Sequence, residues 1–238
     1  MKVLVLSSGG IDSTTALAEA VRLNGHDNVI SLSITYGQTH TKELESARAV
    51  AKHYDVKHIE TDISNIFKYS NSSLLKHSDD TIPKESYDEQ IKKTGGETPV
   101  STYVPFRNGI FLSIAAGIAI SKGCEVIYYG VHSDDAAGFA YPDCSDIFNN
   151  AMNTAIYEGS GHQVKIEAPF VNMNKADVVG RGLELGVPYE LTWSCYEGGD
   201  KPCGKCGTCI DRAKAFELNG VTDPATGGRV PCRENSTI

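Results

Sequence analysis

Apolar residues fall in short blocks along the chain, and most blocks are followed by a longer segment in which they recur every three or four residues. Lys2–Leu6 (KVLVL) is too short for a helix and rich in branched side chains, so it predicts a buried strand halted at Ser7-Ser8-Gly9-Gly10. Asp12–Asn24 follows, with Ala16, Leu17, Ala20 and Val21 on one helical stripe. The same reading gives strands at Val29–Ile34, Val56–Glu60 (a weak one), Glu125–Tyr129 and Val164–Glu167. Helices are expected at His40–Tyr54, Asn108–Lys122, Ile147–Glu158 and Lys175–Leu185, the second of these apolar nearly all round and hence buried. Strand and helix in alternation imply parallel strands joined by right-handed crossovers, an α/β fold with a doubly wound, mostly parallel sheet. A ligand is expected beyond the carboxyl ends of those strands, where the strand order reverses.

Two stretches break the alternation. Residues 70–101 are polar and carry Pro83, Gly95, Gly96 and Pro99, which suggests a mobile flap. Residues 193–212 hold four cysteines and read as a compact metal-bound appendage. The expected organisation is therefore a main domain over 1–192 and a C-terminal segment, 193–238, packed on it.

Composition narrows the function. The chain has 238 residues, 40% hydrophobic and 22% charged, which is ordinary globular usage. Its 22 basic and 30 acidic side chains leave a net charge of −8, which argues against a protein that tracks nucleic-acid phosphates. A nucleotide ligand stays compatible, because main-chain amides and a bound cation hold phosphates locally. The start, MKVLVLSSGG, has no signal-peptide core, and the most apolar run, Gly109–Ile120, is too short to span a bilayer. A cytoplasmic chain with no membrane partner is expected, and in that reducing setting clustered cysteines point to metal or redox chemistry.

The first strand ends at Ser8-Gly9-Gly10-Ile11-Asp12-Ser13-Thr14-Thr15. Paired glycines let the backbone close on an anion, and consecutive amides opening a helix make a nest for it. Ser7, Ser8, Gly9, Gly10, Ile11, Asp12, Ser13, Thr14, Thr15, Ala16 and Leu17 form the candidate nucleotide-binding segment, with Asp12 available to hold Mg²⁺ or cap the turn. The turn has no lysine for a Walker loop and lacks the GxGxxG of dinucleotide folds, while Gly180-x-Gly182-x-x-x-Gly186 falls within a helix. A plain tight turn with an Asp cap is the competing reading.

Cys195, Cys203, Cys206 and Cys209 give C-x7-C-x2-C-x2-C. Four thiolates suit one structural Zn²⁺ per chain in a closed tetrahedral site. An Fe–S cluster takes the same residues, and spacing alone leaves that open. Lys201, Lys205 and Arg212 lie near enough in sequence to offset the charge of such a site. Cys124, Cys144 and Cys232 read as ordinary cysteines rather than ligands.

The SGGIDS run resembles the PP-loop ATP pyrophosphatases, an adenine-nucleotide α-hydrolase-like group that splits ATP between its α and β phosphates. Together with the cysteine knuckle, the chain resembles the 7-cyano-7-deazaguanine synthases of queuosine biosynthesis from about Val3 to Pro224. The resemblance rests also on Tyr36-Gly37-Gln38-x-His40-x-x-Glu43, Val104-Pro105-x-Arg107-Asn108, Tyr141-Pro142-Asp143-Cys144, Asn174-Lys175-Ala176, Ser194-Cys195-Tyr196 and Asp223-Pro224. Thr35 and Phe106 depart from the pattern, which commonly has Asp and Gly there, and the stretch from Asp135 to Tyr141 is longer than in some relatives.

What the resemblance implies is an ATP-dependent ligase acting on small molecules: 7-carboxy-7-deazaguanine, ammonia and ATP with Mg²⁺ give the nitrile through adenylated intermediates. It also makes a homodimer reasonable. Asp12, Arg107 and Lys175 are the expected catalytic residues, with Arg107 on phosphate or substrate carboxylate and Lys175 on the α phosphate; a helix-end arginine and a solvated first-turn lysine are the plainer alternatives. Tyr36, Gln38, His40, Asp135 and Asp143 are the expected substrate contacts, although loop aspartates also serve as turn caps. Two other readings compete: a PP-loop enzyme that adenylates a tRNA base, and a non-catalytic, zinc-stabilised nucleotide-binding protein.

Overall fold

In the computed structural model, which describes residues 1–225, five parallel strands form one sheet: β1 (Val3–Leu6), β2 (Val29–Thr35), β3 (Lys57–Asp62), β4 (Val126–Tyr128) and β5 (Lys165–Glu167). Their order is β3-β2-β1-β4-β5, so the chain winds outward from β1 in both directions and the order reverses between β1 and β4. Cys232 lies outside the described residues.

The helices are α1 (Ile11–Asn24), α2 (Lys42–His53), α3 (Tyr87–Thr94), α4 (Arg107–Lys122), α5 (Ser133–Ala136), α6 (Asp146–Gly159), α7 (Lys175–Glu184) and α8 (Gly207–Leu218). Alternation along the strands builds two cores. Val3, Val5, Val126 and Tyr128 pack on one face with Leu17, Val50, Val178 and Phe216 of α1, α2, α7 and α8. Leu4, Leu32 and Ile127 pack on the other with Leu112, Ala115 and Ile156 of α4 and α6. β3 is weak in sequence because it is an edge, its Lys57, Glu60 and Asp62 exposed.

All strands and the five long helices read from periodicity are present. Three further helices, α3, α8 and the one-turn α5, carried no such periodicity. The segment expected as a flap, residues 70–101, contains a helix: Ser86 and Glu89 make a reciprocal capping box that starts α3. The segment is also tied to the body, with Leu74 and Leu75 buried beside Tyr36, Phe67 and Val104 and with the Lys76 amide donating to the Gly37 carbonyl. α8 begins at the last two cysteines and packs against α7, where Asn219 Nδ2 donates to the Ala176 carbonyl at 2.8 Å. Among the described residues no helix is long and apolar enough to cross a membrane.

One buried ion pair clamps the end of the described chain. Arg212 of α8, 4% exposed, donates to both carboxylate oxygens of Asp223 at 2.6 and 2.8 Å, and also to Thr192 Oγ1 at 2.8 Å. Arg212 is therefore committed to Asp223, which corrects the expectation that it offsets the charge of the cysteines. Losing one partner strands a buried charge, so Asp223→Ala is expected to cost about 3–5 kcal/mol in urea denaturation. An unchanged midpoint would show that the pair contributes nothing.

Candidate active site

The strand-order reversal opens a cleft of about 690 Å³. Its floor comes from the β1–α1 turn and the β4–α5 turn, which meet back to back. Gly130, just after β4, has no room for a Cβ because the main chain of Asp12 and Ser13 occupies that space. Gly9 (φ +84°) is pressed in the same way on the backbone of Glu43 and Ala47 in α2. A further tie comes from the C-terminal side, where the Trp193 amide donates to the Gly9 carbonyl at 2.9 Å. The turn is thus held from three directions in a conformation that only glycine permits at residue 9.

Its donors face the cleft. Gly10 caps α1 with no side-chain acceptor, so the first-turn amides have no partner within the helix. Ser8, Gly10, Ile11, Asp12 and Ser13 line the cleft, with Ser7 beside them, and Ser13 Oγ accepts from the Ser8 amide at 3.1 Å. The rest of the expected segment turns inward. Thr14, Thr15, Ala16 and Leu17 are essentially unexposed, and Thr15 Oγ1 donates to the Ile11 carbonyl at 2.8 Å. The stretch that faces the cleft therefore stops at Ser13, because the helix turns later side chains into the core.

Asp12 does not cap the turn. Lys175 Nζ, from the first turn of α7, donates to Asp12 Oδ2, and Asp12 Oδ1 is buried with no hydrogen-bond partner. Burial opposes the charged carboxylate, but the Lys175 ammonium and His132 outweigh it and hold Asp12 below the usual carboxylate range. Lys175 is correspondingly held above the usual lysine value by Asp12 and Asp135 against the cost of its burial. His132, 3% exposed, completes the group: its Nε2 lies 3.3 Å from Lys175 Nζ, 3.3 Å from Asp135 Oδ2 and 3.8 Å from Asp12 Oδ1. Sequence reasoning missed His132, though its place two residues past Gly130, beyond the fourth strand, was a usable signal.

The second half of the cleft is aromatic. Arg107 opens α4, stacks its guanidinium 5.4 Å from the Tyr36 ring and 5.8 Å from the Phe111 ring, and donates to the Tyr36 hydroxyl at 3.4 Å. It is neither a free helix end nor fully solvated. α4 starts from Phe106 at φ +55°, the left-handed region in which glycine is favoured. That geometry is the physical reason for the glycine common at this place in the resembled family. Gln38 Oε1 accepts from the Tyr36 amide at 2.9 Å and faces the same space. Tyr87 of α3, Tyr141 and Tyr196 of the cysteine loop converge on one edge, the Tyr87 and Tyr196 hydroxyls 2.6 Å apart. Cys144 also lines the cleft, held by Asn108 Nδ2 at 3.2 Å.

Two expected substrate contacts lie elsewhere. Asp143 is 4% exposed and caps α4, its Oδ2 accepting from the Asn108 amide at 2.9 Å; the turn-cap alternative is the one realised. His40 leans away from the cleft, its ring filling the space beside Gly198 and lying 6.5 Å from the Trp193 ring. It buttresses the cysteine loop.

Glu43, in the first turn of α2, enters the cleft unannounced by any role read from sequence. Burial pushes its carboxyl from 4.5 up to about 7, against the pull of Arg107. No hydrogen bond or ion pair uses its side chain among the described residues.

The sulfur ligand atoms of Cys195, Cys203, Cys206 and Cys209 lie within 4.8 Å of one another. Cys195 Sγ accepts from the amides of Glu197 at 3.4 Å and Cys203 at 3.3 Å, and Cys203 Sγ accepts from Lys205 at 3.4 Å and Cys206 at 3.3 Å. Such N–H···S bonds stabilise thiolates, so the group is built to hold a metal.

Glu43 sets a pH signature. The unfolded chain releases this proton near 4.5 and the folded chain near 7, so between those values the native state binds more protons and stability falls as pH rises. Glu43→Gln escapes that loss. It is expected to be more stable than the parent by on the order of 1 kcal/mol at pH 8, with the gain smaller at pH 5, in parallel urea titrations. Equal gains at both pH values would refute the assignment.

Comparison with known proteins fits this geometry. The family model described as queuosine biosynthesis protein QueC matches residues 2–220. A 7-cyano-7-deazaguanine synthase of Archaeoglobus fulgidus is 47% identical over 225 residues, covering 94% of this chain and 89% of the relative. The synthase of Caldicellulosiruptor bescii is 43% identical over 224 residues, covering 94% and 96%. Among solved structures, the U34-tRNA thiolase NcsA from Methanococcus maripaludis with its [4Fe-4S] cluster shares the fold at TM-score 0.50 and 15% identity, over 92% of this chain and 66% of its own. With the doubly wound sheet, the glycine turn at its switch point and the four-cysteine group in place, the chain belongs to the QueC family of queuosine biosynthesis enzymes.

Proposed function

We propose that the chain converts 7-carboxy-7-deazaguanine, ammonia and ATP into 7-cyano-7-deazaguanine, using one nucleotide site twice. The observation that carries this reading is the row of uncapped amides at the head of α1, set beside Lys175 and His132 and opening onto an aromatic chamber. A carboxylate is a poor electrophile and oxide a very poor leaving group; esterifying that oxygen to AMP removes both difficulties. Dehydrating the resulting amide meets the same obstacle, so the same activation serves again.

The roles follow from position. The Ile11, Asp12 and Ser13 amides, with the Ser8 and Ser13 hydroxyls beside them, are placed to receive the departing pyrophosphate, where fixed donors stabilise charge as it builds. Lys175 and His132 face the α phosphate. Asp12 Oδ1, an acceptor without a hydrogen-bond partner, fits Mg²⁺, which when bound would neutralise phosphate charge. Arg107 is placed for the substrate carboxylate and Tyr36 and Phe111 for a flat ring. Tyr87 and Asp88 of α3 line the cleft, which supports water exclusion from the acyl-adenylate by residues 70–101.

For the cysteines we favour one zinc ion. Four sulfurs about 2.3 Å from a single tetrahedral centre stand about 3.8 Å apart, compatible with the observed cluster. A cubane gives each cysteine its own iron and so spreads the sulfurs farther. The metal would hold the loop that carries Trp193, Ser194 and Tyr196 onto the cleft.

The tRNA-modifying reading shares the fold but is disfavoured by the net charge of −8. Release of AMP and pyrophosphate with 7-carboxy-7-deazaguanine and ammonium, and none with unmodified tRNA, is the expected result; turnover with tRNA alone would reverse the choice. Asp12→Asn, which keeps an acceptor for Lys175, should retain the folded circular-dichroism spectrum and lose at least about 100-fold in turnover. Cys206→Ser should instead lose metal by elemental analysis and unfold readily, because a structural zinc contributes on the order of 10 kcal/mol to folding. Iron and sulfide in the parent protein would overturn the zinc assignment.

A further inference from the structure

The proposed reaction needs a nitrogen nucleophile that exists at neutral pH as a cation. Ammonium must be held next to the activated acyl group and must give up a proton before its nitrogen can attack. A site for it needs a carboxylate in the cleft that is not already committed to a lysine or arginine.

Most acids lining the cleft are committed. Asp12 pairs with Lys175, Asp134 Oδ2 accepts from the Lys175 amide at 2.8 Å, and Asp177 Oδ2 accepts from the Asn174 amide at 3.2 Å. Asp135 lies 3.3 Å from His132, and Asp211 lies in the field of Lys175. Asp88 is exposed on α3. Asp211, like Glu43, makes no hydrogen bond or ion pair among the described residues, but its charged neighbours are Lys175, Asp135, Asp88 and Lys214. Glu43 differs in its surroundings: it sits at the aromatic end, with Tyr36 and Arg107 as its electrostatic neighbours and no hydrogen bond or ion pair among the described residues.

Its position is also fixed. The Glu43 carbonyl is packed on Gly9, so the residue is held at a set distance from the phosphate turn. Arg107, stacked on Tyr36 and Phe111, would hold the acyl group beside it, while the two rings offer faces that favour a small cation.

We propose that Glu43 binds the ammonium ion and takes a proton from it. The inference rests on the reaction proposed above. Ammonium gives one proton to the Glu43 carboxylate, and the freed electron pair forms the C–N bond at the acyl carbon. The acyl C–O bond breaks with its electrons leaving on AMP, and the second proton lost by nitrogen passes to water. Burial places Glu43 where it both accepts this proton and returns it to solvent near neutral pH.

The experiment separates activation from nitrogen transfer in Glu43→Gln and Glu43→Asp. Activation is read as pyrophosphate exchange into ATP, dependent on 7-carboxy-7-deazaguanine and run without a nitrogen source. Transfer is read as amide formed from ammonium and as hydroxamate formed from hydroxylamine, which is uncharged at neutral pH. In Glu43→Gln, exchange should stay within about threefold of the parent while ammonium-driven amide falls about 100-fold, with hydroxamate formation largely kept. Glu43→Asp should fall between. Equal loss with both nucleophiles, a parallel fall in exchange, or undiminished use of ammonium would each overturn the assignment. A parent protein that exchanges no pyrophosphate with this acid would overturn the reaction itself, and the role of Glu43 with it.

Discussion

A short row of main-chain amides, left without acceptors at the head of α1, is the feature on which the rest of the molecule depends. Amides in such a row bind an anion only while their directions are held, and a turn of two glycines cannot hold them alone. Three neighbours supply the rigidity. α2 leaves no space at Gly9, the Gly130 backbone presses on Asp12 and Ser13, and the cysteine-bearing segment hydrogen-bonds the Gly9 carbonyl through Trp193. The C-terminal loop is therefore part of the glycine turn's foundation as well as one wall of the cleft.

Charge is arranged around that row with equal economy. Asp12, Lys175 and His132 are too buried to be stable singly, and each is tolerable because of the others. Arg107 solves the same problem on aromatic faces. Glu43 has no such partner: only Arg107 opposes the burial that pushes its carboxyl up to about 7, an arrangement that costs stability at neutral pH.

Several features were readable without coordinates. The alternation of elements gave the doubly wound sheet, and the strand-turn-helix context of SGGIDS put that turn at its switch point, where the cleft opens. The capping box at Ser86 and Glu89 was also readable but was obscured by surrounding polar residues. Other assignments failed for one reason: a residue's neighbours along the chain do not say which way its side chain faces. Leu17 follows the phosphate turn yet enters the core, Asp143 follows an expected ligand region yet caps α4, and His40 supports the cysteine loop.

The order of apolar and polar positions, with its glycines and cysteines, determined the fold class, the location of the glycine turn at the switch point and the presence of a four-cysteine cluster. These depend on local conformation and on residue chemistry, both of which are written along the chain. Tertiary structure alone decided that Asp12 meets Lys175 across 163 residues, that His132 joins them, and that Glu43 and Arg107 face one chamber. Those meetings are set by how helices from distant parts of the chain pack on the two faces of one sheet, and packing at a distance leaves no periodic trace in the sequence.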